Sequence, residues 1–269
     1  MQYSKKPRKE THSHRNSNFY LDKIVRNNID PLLMGIEIEL DFDVNLDFDK
    51  IELINSTLEP WFKSFNGFDK DFYIVPECSC TSWEIVFNPR TLHWYKNNKD
   101  LRIMLRTLEH YPYLINSTNN NCLAGFHIHF NGEFLGDEKA YQLYNFIRDN
   151  RSFFFELAER KSNGYCSLYP VSEERWAKVN PSLEKEYRAF EKRFYGTHEF
   201  RLFSCTYSHK KLIARMEAMH LIMYFVKRTK NKEELTLKNL YHSIISKKNS
   251  WMNGFNLIIN SLTKSGETF

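Results

Sequence analysis

Four segments of this chain alternate between apolar and ionisable residues, and a period of two fixes strands before any other feature is weighed. LLMGIEIELDFD (32–43) sets Glu37 and Glu39 against Ile36, Ile38 and Leu40. SWEIVF (82–87) sets Glu84 against Trp83, Ile85 and Phe87. GFHIHF (125–130) sets His127 and His129 against Phe126, Ile128 and Phe130. THEFRLFS (197–204) sets Glu199 and Arg201 against Phe200 and Leu202. A further strand is predicted at FYIV (72–75), and Asn88-Pro89 stops the one before it. Strands with one apolar face belong to an antiparallel sheet whose other face is polar.

Helical spacing fills the intervals. Leu92, Tyr95, Leu101, Met104, Leu105 and Leu108 mark a helix over 92–109, and a long one is predicted over 137–161, bent near Asp149-Asn150. Ser208 reads as the N-cap of a helix reaching about Arg228, with two more at roughly 233–247 and 250–262. Shorter helical stretches are expected within 47–66, broken at Pro60, and around 182–192. The Phe146, Phe153, Phe154 and Phe155 stripe reads as core. Together these predict an α+β domain, an antiparallel sheet with helices packed on one face.

Charge divides the chain. Residues 1–18 carry +4 and residues 227–269 carry +5, so the net +5 leaves −4 for residues 19–226. The first 18 residues read as a basic disordered tail, and 19–269 as one domain with a basic helical part from about 227. Basic ends solubilise the chain or touch nucleic acid weakly; no alternating basic and aromatic groove supports a nucleic-acid protein. Five scattered cysteines suit reduced thiols rather than a disulfide framework. The longest apolar run, Met216–Val226, is too short to span a bilayer. The expectation is a soluble cytoplasmic protein.

The polar faces show Glu, His and Arg where ordinary solvated strands show Thr, Lys, Ser and Gln. Clustered carboxylates on a shared face repel unless a cation neutralises them. Oxygen ligands with one or two imidazoles suit Mg²⁺ or Mn²⁺ better than Zn²⁺. An arginine among the acids suits an anion such as phosphate held against the metals. Metals, carboxylates and an arginine are the parts of phosphoryl transfer. With only 9 glycines in 269 residues, no GxxxxGK[ST] loop and no GxGxxG turn before a helix, P-loop and Rossmann folds are unsupported.

The ordered set of motifs resembles the amidoligase family of the carboxylate–amine ligase superfamily, which includes glutamine synthetase and γ-glutamylcysteine ligase. Its G-x-E-x-E strand corresponds to Gly35–Glu39, and its E-I-[VT]-x-x-P strand to 84–89. Its G-[LF]-H-[VI]-H strand corresponds to Gly125–His129, and its T-x-E-[FL]-R strand to Thr197–Arg201. The resemblance spans about 33–206. One departure is plain: Glu77-Cys78-Ser79 stands where the family has D-G-S.

The resemblance implies a glutamine synthetase-like catalytic domain, a curved sheet binding ATP and metals on its concave face. Glu37, Glu39, Glu84, His127 and Glu199 would hold two or three Mg²⁺ or Mn²⁺ ions. Arg201, with Glu37 and Glu199, would serve catalysis, neutralising the transferring phosphoryl group or holding the substrate carboxylate. His129 and Ser79 would contact nucleotide or substrate; apart from the resemblance, Arg90, Arg188 and Arg193 are candidate phosphate contacts, weighed against ordinary exposed arginines. The implied reaction is ATP-dependent ligation of a small-molecule or peptide carboxylate to an amine. A metal-dependent phosphohydrolase or nuclease on the same acidic face, and a non-catalytic ATP- and metal-binding protein, are the rivals.

Overall fold

Strand β1 (Leu33–Leu40) lies inside the sheet, and the rest of the fold is arranged around it. The computed structural model describes residues 32–40, 56, 72–76, 83–111, 124–160, 166–177, 189–192, 196–249 and 251–267. The other strands are β2 (Phe72–Pro76), β3 (Trp83–Phe87), β4 (Arg90–Thr91), β5 (Gly125–Asn131), β6 (Phe190–Lys192) and β7 (Thr197–Ser204). Their order is β2-β3-β1-β5-β7-β6, with β4 pairing the start of β1. Every pairing is antiparallel.

One face of the sheet is the floor of the core. Ile36, Ile38, Phe126, Ile128, Phe130 and Phe200 are fully buried there, and helices close it. The helices are α1 (Leu92–Asn97), α2 (Lys99–Glu109), α3 (Gly136–Asp149), α4 (Arg151–Ala158), α5 (Glu173–Ala177), α6 (His209–Arg228), α7 (Leu237–Ile245) and α8 (Met252–Lys264). Phe154 of α4 meets Phe200 at 6.4 Å between ring centroids, and Tyr95 of α1 meets the edge of Phe87 at 6.4 Å. These aromatic contacts add to area burial in tying helices to sheet. The chain is therefore α+β, as the alternation predicts.

Helix α6 is buried almost all round, and its two buried charges are paired. Arg215 donates to Glu159 at 2.9 Å, and Glu217 accepts from Lys96 at 2.7 Å and from the Gly254 backbone at 2.8 Å. Those bonds satisfy charges that would otherwise be expensive to bury. Among the described residues no helix is long and apolar enough to cross a membrane. Cys166 and Cys205 are buried thiols, in keeping with the reduced reading.

The structure departs from the sequence expectations in a few places. The 92–109 helix is two helices, because Asn98 ends α1 and accepts from Leu101 N at 2.8 Å to cap α2. The expected bend at Asp149-Asn150 is a full break between α3 and α4. The helix expected around 182–192 is corrected at its end: Phe190–Lys192 pairs with β7 as the edge strand β6. The predicted helix within 47–66 lies outside the described residues apart from Ser56, which is helical, and the tail 1–18 lies outside them altogether.

Two histidines make the fold sensitive to acid. His198 is 1% exposed, and His220 stacks on Trp251 at 4.4 Å. Burial pushes each ring down from 6.5 to about 4. The unfolded chain therefore takes up protons below pH 6.5 that the fold refuses until about pH 4. Stability should be whole above pH 6.5 and fall towards pH 4, by up to about 3 kcal/mol per ring. Urea unfolding at pH 7 and 4.5 checks this: His220→Gln should remove roughly half of the difference, and an unchanged difference would refute the role of His220.

Candidate metal centre

Strand register brings the ionisable residues into one row. Glu37 stands opposite His127, Glu39 opposite Glu84, and His129 opposite Glu199. Four neighbouring strands, β3, β1, β5 and β7, thus aim their polar residues at one patch. Opposed side chains sit roughly 5 Å apart at Cβ, close enough to share an ion.

His127 is the hub. Its Nδ1 lies 3.1 Å from Glu37 Oε2, 3.3 Å from Glu199 Oε1 and 4.0 Å from Glu84 Oε1. Its Nε2 lies 3.4 Å from Glu39 Oε1. His129 Nε2 approaches Glu37 Oε1 at 2.9 Å and Glu199 Oε1 at 3.8 Å. Arg201 Nη1 donates to Glu199 Oε1 at 2.6 Å. Glu39, Glu84, His127, Glu199 and Arg201 are buried, with Glu199 0% exposed, while Glu37 and His129 are partly exposed.

Four carboxylates and one guanidinium leave three formal negative charges, before the imidazoles are counted, where water screens little. Burial alone would raise the Glu37 carboxyl. The charge of His129 and hydrogen bonds with His127 and His129 outweigh it and hold the group well below the usual carboxylate range. The site thus keeps Glu37 ionised and available as a ligand.

Two triads offer ligand atoms within 4.8 Å of one another: Glu37 with His129 and Glu199, and Glu37 with Glu84 and His127. Each triad could hold a metal ion, and Glu37 belongs to both. Its Oε1 faces His129 and its Oε2 faces His127, so one carboxylate can serve both positions. A donor set dominated by carboxylate oxygens fits Mg²⁺ or Mn²⁺.

The remaining sequence candidates stand elsewhere. Arg90 lies over the Trp94 ring at 5.7 Å and donates to Pro89 O. Ser79, Arg188 and Arg193 lie outside the described residues, as does Cys78.

Sequence reasoning missed the backbone around this patch. Between Phe126 and Ile128 the β5–β7 register shifts, so His127 faces both Arg201 and Leu202. That bulge breaks the alternation, and Phe203 joins Phe126 and Phe200 on the core side, with centroids 6.1 and 5.4 Å away. Gly125 was legible only as part of its motif. Its N–H donates to Glu39 Oε2, and a Cβ built on it would stand 2.6 Å from His127 Nε2. Gly125→Ala should therefore displace the His127 ring and weaken Mn²⁺ binding by about 10-fold or more, the scale of a disturbed ligand support. Titration of Mn²⁺ by electron paramagnetic resonance (EPR) checks this; wild-type affinity in a folded variant would contradict it.

No family model matches the chain, and no curated protein matches it.

Proposed function

We propose that the chain is an ATP- and Mg²⁺-dependent carboxylate–amine ligase with a glutamine synthetase-like catalytic domain. The observation that supports this most is the meeting on one sheet face of two triads with a common carboxylate, Glu37–His129–Glu199 and Glu37–Glu84–His127, together with Glu39 and Arg201. When bound, Mg²⁺ or Mn²⁺ supplies charge neutralisation for the phosphates of ATP.

The residues of the chain account for the remaining requirements. A carboxylate is a poor electrophile, so its oxygen attacks the γ-phosphorus of ATP, forming an acyl phosphate and releasing ADP. A neutral amine then attacks the acyl carbon, phosphate leaves, and the amine proton is lost to give the amide. Arg201, held by Glu199, keeps a planar guanidinium at the edge of the acidic patch, where it meets an anion. Glu37, His127 and His129 hold one another through hydrogen bonds, so the ligand geometry is set before substrate arrives. Burial of the row keeps water from competing for the acyl phosphate.

The test is ADP release from Mg–ATP across a panel of small and peptide carboxylates paired with amines. ADP formation that requires both partners is the expected result. ADP formed with water alone, or cleavage of nucleic acid, would replace the reading with a hydrolase or nuclease. Tight Mg–ATP binding without turnover across the panel would favour the non-catalytic alternative.

A further inference from the structure

Arg160 follows α4 and lies on no motif, yet three features of the fold converge on it. The chain leaves α4 through Glu159, the one non-glycine among the described residues with positive φ, at φ 51° and ψ 38°. A left-handed carboxylate residue is uncommon and needs support from its surroundings. Here Arg215 and Lys211 both grip the Glu159 carboxylate, at 2.9 and 3.0 Å. That turn sends Arg160 to the β7 bulge. Its Nη1 donates to Arg201 O at 3.3 Å and to Phe203 O at 3.2 Å, the two carbonyls that flank Leu202. The same Nη1 lies 3.1 Å from the point a Gly125 Cβ would fill, beside His127 Nε2. The missing side chain leaves room for a guanidinium between the bulge and the histidine hub.

We propose that Arg160 is a positioning residue: it fixes the β7 bulge and thereby aims Arg201 at Glu199 within the acidic patch. Bulges re-aim side chains next to functional sites, and a residue bonded to both sides of one sets its shape. A guanidinium suits the task, since a single Nη1 at the end of a long side chain carries two N–H groups for two carbonyl acceptors. The part of this inference that concerns anion binding rests on the metal-centre reading; the part that concerns Arg201 does not.

The experiment uses Arg160→Gln and Arg160→Lys in the full chain, with two readouts. The first is the ¹⁵N signal of the Arg201 guanidinium, assigned by its disappearance in Arg201→Lys and needing no metal. Arg160→Gln should shift that signal and speed its hydrogen exchange. A lowered melting temperature with an unmoved Arg201 signal would reduce Arg160 to a merely structural role and overturn the proposal. Should Arg160→Gln fail to fold, the same signal in Arg160→Lys decides, because lysine keeps the charge but its shorter side chain stops short of the position of Nη1.

The second readout is inorganic phosphate binding to Mn²⁺-loaded protein. Arg160→Gln should weaken it about 10-fold or more, the scale of a lost support for a site residue, and should add little in an Arg201→Lys background. Effects that multiply in the double variant would show the two arginines acting independently, against the proposal. Failure of wild-type protein to bind Mn²⁺ would sink the metal reading alone, leaving the Arg201 signal to judge Arg160.

Discussion

Glu37→Gln should cost the protein at least about 100-fold in Mn²⁺ affinity and should also lower the stability of its metal-free fold at neutral pH. Glu37 is the residue common to both triads, so its replacement weakens two positions at once. Loss of a mere support around a metal ligand costs about 10- to 100-fold, and a shared ligand should exceed that range. Glutamine keeps the shape and one carbonyl oxygen but removes a negative charge. In the metal-free protein, His127 and His129 favour that charge more than burial penalises it, so its loss removes a stabilising interaction. The stability difference between the two proteins should shrink as the pH falls below 4.5, which a general packing defect would not show. EPR titration measures the affinity and thermal unfolding in chelator the stability. Unchanged Mn²⁺ affinity would remove Glu37 from the metal centre.

On the proposed ligase reading, Arg201→Lys should keep Mn²⁺ binding near wild type and reduce amide formation by about 100-fold or more, the scale of one lost charge-stabilising donor. Arg201 is only 8% exposed and bonds Glu199 at 2.6 Å, so it is held in place rather than waving in solvent. Lysine preserves the charge but presents a point ammonium in place of a planar fork. A surface arginine on an ordinary strand would tolerate the exchange. Turnover measured with a productive acid and amine, with folding checked by circular dichroism, decides the matter: near wild-type turnover in Arg201→Lys would exclude this role.

The strands were legible because each carries its own two-residue period, and THEFRLFS matches β7 from Thr197 to Ser204. The site was legible as a list for the same reason. Placing Glu37, His127 and Glu199 on polar faces needs only local alternation. Register was not legible: that Glu37 meets His127 and His129 meets Glu199 depends on pairings between distant segments. The bulge at Arg201–Leu202 breaks the period that strand reading assumes, so the core position of Phe203 escaped it. Phe190–Lys192 read as helical because three residues carry no period, and only pairing with β7 makes them a strand. Arg160 had no signal at all, since its importance comes from where a left-handed turn delivers it.

The place of β1 within the sheet has a consequence for how the protein comes into being. Synthesis makes β1 before any of its strand partners, yet its contacts reach far along the chain: Glu37 bonds a histidine 90 residues later, and Glu39 O accepts from Tyr207, 168 residues later. A ribosome adding about 5–20 residues per second leaves β1 waiting several seconds for β5 and longer for β7. During that interval its Leu, Met and Ile residues have no lasting cover, and its edges invite pairing with other chains. Glu37 and Glu39 would act as gatekeepers in that window, because like charges on an exposed ribbon repel a second copy. The same two carboxylates would thus protect the nascent strand and later face the ions, and exchanging both for glutamine should raise aggregation during synthesis even where the finished fold tolerates the change.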